Sequence, residues 1–193
     1  MKIGLFGGSF NPIHNGHIAV AKSVFEEIDL DQIWFVPCRN HPLKNSENLL
    51  SFPKRVLLIE KSIARFPHFE ISHLDADSEF PNFTDEMIIK AKKKYHENKF
   101  FLIVGNDILT EFSKWHNFKW LGKNVHFLIV NRPNHKNNKP TEIKHFTFIE
   151  MKPVDISSTQ IRNLIKNNED VSHLIPPNIY KLTQQFYPQK EKK

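Results

Sequence analysis

The chain has 193 residues, of which 39% are hydrophobic, 25% charged and 12% aromatic, a composition that suits one globular domain with its own core and excludes long disorder. Lys and Arg outnumber Asp and Glu by 27 to 21, a net charge of +6, which favours anionic partners: nucleotides, phosphates or nucleic acid. No apolar run reaches the roughly 18 residues of a membrane helix. The N-terminal apolar stretch is too short for a signal peptide, and the single cysteine, Cys38, allows neither an intrachain disulfide nor a cysteine zinc site, so a cytoplasmic protein is expected.

In chain order, Lys2 to Phe6 reads as a buried strand and His17 to Glu27 as a helix. Gln32 to Val36 is a second strand, ended by Pro37, and Cys38 to Asn48 is a polar, proline-broken loop. Ser51 can cap a helix running to about Ile63, with Pro53 in its first turn. Phe69 to Ile71 is a short strand candidate, and Phe83 to Tyr95 is helical, with Met87, Ile88 and Ala91 on one face. Phe100 to Val104 is a buried strand stopped by Gly105, and a short helix or loop carries Asp107 to Trp120. Val125 to Val130 is a further buried strand, the polar stretch from Asn134 to Lys144 is a loop, and Phe146 to Glu150 is a weaker strand. Ser158 to Asn167 and Pro177 to Phe186 are helices. Apolar strands alternating with helices predict an α/β fold: a doubly wound, Rossmann-like parallel sheet of about five or six strands with helices on both faces. Ligands of such sheets bind beyond the C-terminal ends of the strands, so the loops after Phe6, Val36, Val104 and Val130 are the candidate sites.

Four of the six glycines (Gly4, Gly7, Gly8 and Gly16) fall within the first 16 residues. Gly7-Gly8-Ser9 directly follows a strand and lets backbone N–H groups approach an anion. The pattern is neither GxGxxG nor a Walker A loop. Asn11-Pro12-Ile13-His14-Asn15-Gly16-His17 then opens a helix whose N-terminus favours negative charge. Gly16 leaves room for a nucleotide, and His14 and His17, three apart, can both face one phosphate chain. The same histidines could instead be simple caps or a metal pair, although HExxH spacing and a nearby acidic ligand are lacking.

The stretch from Gly7 to His17 resembles the signature G-G-[ST]-F-[DN]-P-x-H-x-G-H of the nucleotidyltransferase superfamily. Near the other end, Ile156-Ser157-Ser158-Thr159-Gln160-Ile161-Arg162 matches that superfamily's I-S-S-T-x-I-R. Read alone, the second stretch is a capped helix with Ser157 or Ser158 at the N-cap and Arg162 exposed. Within the resemblance, its hydroxyls and helix N-terminus face the phosphates, and Arg162 supplies a fork of donors.

The middle of the chain resembles bacterial nicotinate mononucleotide adenylyltransferases. Pro37 to Lys44 resembles the family's P-x-x-x-P-P-H-[KR] loop, with His41 for the first paired proline, Leu43 for the histidine, and Lys44 kept. Ser51 to Leu58 carries a characteristic arginine, Arg55. Asn82-Phe83-Thr84 stands for S-Y-T, with phenylalanine in the tyrosine position. Gly105-Asn106-Asp107, eight residues before Trp115, resembles G-x-D followed by tryptophan, and Arg132-Pro133 fits the family's R-P. The likeness runs from the start of the chain to Tyr187, implying one nucleotidyltransferase domain over 1–187 and a basic tail over 188–193.

The resemblance implies adenylyl transfer from ATP to nicotinate mononucleotide in NAD biosynthesis, yielding nicotinate adenine dinucleotide and pyrophosphate. His14, His17, Lys44 and Arg162 would be catalytic. Gly7, Gly8, Ser9, Phe10, Gly16, Gly105, Asp107, Ile156, Ser157 and Ser158 would bind ATP, with Asp107 on the ribose hydroxyls or capping the next helix. Phe83, Thr84, Trp115 and Arg132 would bind the mononucleotide, and Lys44 and Arg55 would help hold phosphates. Trp120 reads as core. Mg²⁺ is expected, held by the substrate and not by protein ligands. Neither a nucleic acid nor a membrane is an expected partner, and no motif specifies an oligomer. The rival readings are an adenylyltransferase preferring nicotinamide mononucleotide or phosphopantetheine and, from the positive charge alone, a non-catalytic nucleic-acid binder.

Overall fold

The computed structural model describes residues 1–39, 49–74, 83–131, 140–152 and 154–187. Six strands form one parallel sheet: β1 (Lys2–Gly8), β2 (Gln32–Pro37), β3 (Phe69–Ile71), β4 (Lys99–Gly105), β5 (His126–Val130) and β6 (His145–Ile149). Their spatial order is β3-β2-β1-β4-β5-β6. Leu5 pairs with Trp34 on one side and with Leu102 on the other. The strand order reverses between β1 and β4, which opens a crevice beyond their C-terminal ends.

The helices are α1 (Asn15–Glu27), α2 (Phe52–Ile63), α3 (Thr84–Lys94), α4 (Phe118–Asn124), α5 (Ser158–Lys166) and α6 (Tyr180–Phe186). Strand residues alternate between two cores, one on each face. Ile33, Phe35, Leu128 and Val130 join Ala21 and Val24 of α1, Leu58 and Ile59 of α2, and Ile161 and Ile165 of α5. Trp34, Val36, Phe127 and Ile129 join Met87, Ile88 and Ala91 of α3 and Leu121 of α4. Burial on both faces is why these strands read as unbroken apolar runs rather than as alternations. No described helix is long and apolar enough to cross a membrane.

Two expectations differ from the structure, and a third gains a detail. The stretch expected as one short helix or loop is two 3₁₀ turns, Asn106–Thr110 and Phe112–Lys114, followed by α4, which continues past Trp120 to Asn124. Its apolar residues Phe112, Phe118 and Leu121 serve separate turns, so no continuous 3.6-residue stripe marks it. The last helix begins with a 3₁₀ turn, Pro177–Ile179. The polar loop before β6 ends packed: Ile143 is buried, and the Lys144 N–H donates to the Gly122 carbonyl at 2.8 Å. A Cβ at Gly122 would run into the Glu142 carbonyl. Gly122→Ala is therefore expected to cost about 2 kcal/mol or more in urea unfolding. Gly7→Ala, whose Cβ would meet nothing within 4 Å, is the control.

Candidate active site

The site begins where β1 runs out beside β4. Phe10, almost wholly buried, takes a left-handed conformation with φ 45°, a costly geometry for a bulky residue that its surroundings must enforce. Its ring packs on Phe6, Phe35 and His17, with centroids 5.6, 5.6 and 5.0 Å away. The next peptide, Asn11-Pro12, is cis. Buried Asn11 is the hub of the turn. Its Oδ1 accepts from the Leu50 N–H at 3.0 Å and from the Tyr187 hydroxyl at 2.7 Å. Burial raises the Tyr187 phenol well above its ordinary pKa, so it stays a donor.

Arg55 of α2 lies under this turn and is fully buried. Nη1 donates to the Ser9 carbonyl at 2.8 Å, Nε to Leu50 at 2.8 Å and Nη2 to Arg39 at 3.2 Å. Burial lowers its pKa, and Cys38 and Tyr187 oppose that shift. The guanidinium nevertheless stays protonated. The expected phosphate-holding role is thus corrected. The fork is spent on three carbonyls of three segments, and the cation braces the loop from below.

His14 and His17 stand at the start of α1. Their rings stack at 3.7 Å with an interplanar angle of 29°. The His14 N–H donates to His17 Nδ1 at 3.2 Å. Nδ1 is therefore an acceptor, and the proton of a neutral His17 sits on Nε2, ready to be donated. Gly16 packs closely against this pair. A Cβ there would meet the His14 ring at 3.0 Å and Ile156 at 3.6 Å. The His14 imidazole thus lies directly beside the position a side chain at residue 16 would take.

The N-terminus of α5 faces the same turn. Ser157 is its N-cap: Oγ accepts the Gln160 N–H at 3.1 Å, and Gln160 Oε1 accepts the Ser157 N–H at 3.4 Å, a reciprocal capping box. The Ser158 hydroxyl donates to the Pro12 carbonyl at 2.8 Å. Arg162, half-buried rather than exposed, donates Nη1 to the Asn11 carbonyl at 2.7 Å and Nη2 to Thr159 Oγ1 at 3.1 Å. Two motifs about 150 residues apart in the chain are thereby bolted together through the carbonyls of Asn11 and Pro12. Gly7, Gly8 and Ser9 line the turn's entrance and are exposed or half-buried.

On the other side of the crevice, Gly105 ends β4 and is the N-cap residue of the following 3₁₀ turn. Asp107 lies within that turn, so it is not the cap. A second group of residues gathers around the N-terminus of α3. Phe83 is its N-cap residue, Thr84 its first, and Trp115 is half-buried with its ring 5.9 Å from Phe112. Trp120 packs against the core, as expected. The His116 ring stacks on Phe83 at 4.2 Å, and its Nδ1 lies 2.9 Å from Asp85 Oδ1. Lys44 and Arg132 lie outside the described residues.

The hydrogen bond to Asp85, followed by its charge and that of Glu86, raises the pKa of His116. A raised folded value means that the pair's contribution to stability is complete below the ordinary imidazole pKa of about 6.5. It is lost as pH rises through the folded value. The stability difference between the wild type and His116→Phe, followed as Tm against pH, is expected to be largest below pH 6.5 and to shrink above it.

The class follows from the match of a family model: the one described as cytidylyltransferase-like matches residues 5–164, which include the paired-histidine turn and most of the sheet. The "Probable nicotinate-nucleotide adenylyltransferase" of Staphylococcus epidermidis is 36% identical over 178 residues, 92% of each chain. The nicotinate-nucleotide adenylyltransferase of Bacillus subtilis is 30% identical over 184 residues, 95% of this chain and 96% of that protein. Among solved structures, the Plasmodium falciparum nicotinic acid mononucleotide adenylyltransferase complexed with NaAD superposes with a TM-score of 0.82. That match has 22% identity and covers 96% of this chain and 93% of that one. The chain belongs to the nicotinate-nucleotide adenylyltransferase family.

Proposed function

We propose that the chain transfers the adenylyl group of ATP to nicotinate mononucleotide, releasing nicotinate adenine dinucleotide and pyrophosphate. The observation that carries this reading is the His14–His17 stack beside the N-terminus of α5. The named activity of its relatives supports it.

The acceptor's 5′-phosphate attacks the α-phosphorus, and the bond from that phosphorus to the oxygen of the departing pyrophosphate breaks. The nucleophile is already an anion near neutral pH, so no general base is needed. Catalysis then rests on position and charge. His17 donates Nε2–H to the phosphate chain, with His14 behind it. Arg162 and the α5 N-terminus add positive potential. Ser158 acts through the turn it pins, and the backbone of Gly7, Gly8, Ser9 and Phe10 lines the path of the triphosphate. Lys44 and Arg132, assigned on their motif positions, add cations for the triphosphate and for the acceptor phosphate. Asp107 takes the ribose hydroxyls. Thr84 at the α3 N-terminus holds the ring carboxylate, Trp115 stacks on the ring and Phe83 shapes the pocket. Mg²⁺ arrives as part of the substrate, on phosphate oxygens.

The test is isotopic. With α-³²P ATP, nicotinate mononucleotide and enzyme, label is expected in the dinucleotide. With γ-³²P ATP it is expected in pyrophosphate. Label from γ-³²P ATP in the acceptor product or in free phosphate would contradict the reading.

A further inference from the structure

Asp85 serves none of the steps above, yet it is a carboxylate taken almost wholly out of water, 3% exposed in its side chain. It is the second residue of α3, where the helix N-terminus favours negative charge. Its oxygens lie 2.9 and 3.2 Å from His116 Nδ1 and accept from Asn117 Nδ2 at 3.2 Å. Asp85 follows Thr84 directly, while His116 and Asn117 follow Trp115 directly. One buried carboxylate therefore ties together the two segments that carry the proposed acceptor-binding residues. The peptide groups of Trp115 are fixed from both sides: its N–H donates to Phe112 at 3.0 Å, and its carbonyl accepts from Phe118 at 3.2 Å. Asn117 holds a left-handed φ of 50° at the start of α4, which asparagine tolerates better than most residues.

His116 differs from its anchor. Its side chain is 48% exposed, and its ring lies nearly flat on Phe83, 4.2 Å away at 21°. Nδ1 is committed to Asp85, whose carboxylate fixes the orientation of the ring as a carboxylate behind a ligating or catalytic histidine does. Facing a carboxylate, Nδ1 carries a proton; in the imidazolium form, which the Asp85 hydrogen bond favours, Nε2 carries the second and is the donor on the side away from the anchor.

We infer that His116 determines specificity for an acceptor whose ring carries an anionic carboxylate, and that Asp85 is the positioning residue that orients it and sets Trp115 against Thr84. This inference rests on the reading of function above. A carboxylate accepts a charge-assisted hydrogen bond from imidazolium, whereas a carboxamide in the same place carries no charge to pair. With phenylalanine at 83, the imidazole stacked on its face supplies the polar group of this pocket wall.

The test is steady-state kinetics with saturating Mg·ATP, offering nicotinate mononucleotide and nicotinamide mononucleotide to the wild type, His116→Phe and Asp85→Asn. His116→Phe keeps a flat ring on Phe83 and removes the donor. Its KM for the nicotinate substrate is expected to rise roughly tenfold or more, the scale of a lost hydrogen bond to a charged group. Its kcat and its KM for ATP should stay within about twofold, and its preference for acid over amide should fall in proportion. Asp85→Asn is expected to move the same parameters in the same direction. If that variant fails to fold, the half-exposed His116 position decides alone. A wild type that prefers the nicotinate substrate, with His116→Phe unchanged in KM and preference, would overturn the inference and leave the proposed function standing. A wild type that adenylylates neither acceptor would overturn both.

Discussion

His17→Ala is expected to lower kcat by roughly 10²–10³-fold at saturating substrates, the scale of removing one preorganised donor to a developing negative charge. The size of the effect follows from the geometry. The His14 N–H fixes His17 Nδ1 as an acceptor, so Nε2 presents its proton in a set direction. A donor held in place before the reaction costs no reorganisation when charge builds on the pyrophosphate oxygens. The folded state loses little, because His17 is only half-buried. The Tm is expected to fall by a few degrees, from one lost hydrogen bond and some ring packing. His14→Ala is the less clean variant. Its ring is buried against Gly16 and His17, so activity and stability fall together. Wild-type kcat in His17→Ala would remove the histidine pair from the chemistry.

The second large effect concerns stability. Arg55→Ala is expected to destabilise the protein by about 3–5 kcal/mol, measured by urea unfolding at neutral pH. It would empty a large, fully buried volume and leave the carbonyls of Ser9, Arg39 and Leu50 without their donors. Arg55→Lys should recover little of the loss, because one ammonium on a flexible stem cannot reproduce three donations in a plane. Since Ser9 and Asn11 share the turn that Arg55 and Arg162 hold, the folded fraction of Arg55→Lys is expected to show a raised KM for ATP. A variant as stable as the wild type would mean that the three hydrogen bonds are not what sets the turn.

Much of the fold was legible because the parallel sheet is buried on both faces. FFLIV and VHFLIV are strand patterns only when both faces are covered, and each is followed by a glycine or a polar stop. The three-residue strand β3 was found within its true limits. The region between β4 and β5 was harder to read, because two 3₁₀ turns and a seven-residue helix have no sustained period. Both motif-bearing segments of the site could be read as motifs, but their attachment could not. Ser158 to Pro12 and Arg162 to Asn11 span about 150 residues, and Tyr187 to Asn11 spans 176. No local spacing signals such pairs. Arg55 was legible as a characteristic arginine but not as a buried brace, since the three carbonyls it holds belong to the backbone of other segments. Asp85 and His116 were missed for a similar reason. An acid in the first turn of a helix reads as dipole compensation, and the stacked histidine after Trp115 is noticed only once the two segments meet.

The most direct measurement is pyrophosphate release from Mg·ATP, with nicotinate mononucleotide, nicotinamide mononucleotide and phosphopantetheine offered in parallel. Release that depends on an acceptor and is fastest with nicotinate mononucleotide is the expected result; it would support adenylyl transfer and the pocket built from Thr84, Trp115 and His116. Release that is fastest with either other acceptor would contradict that pocket, and no release with any of the three would contradict the account as a whole.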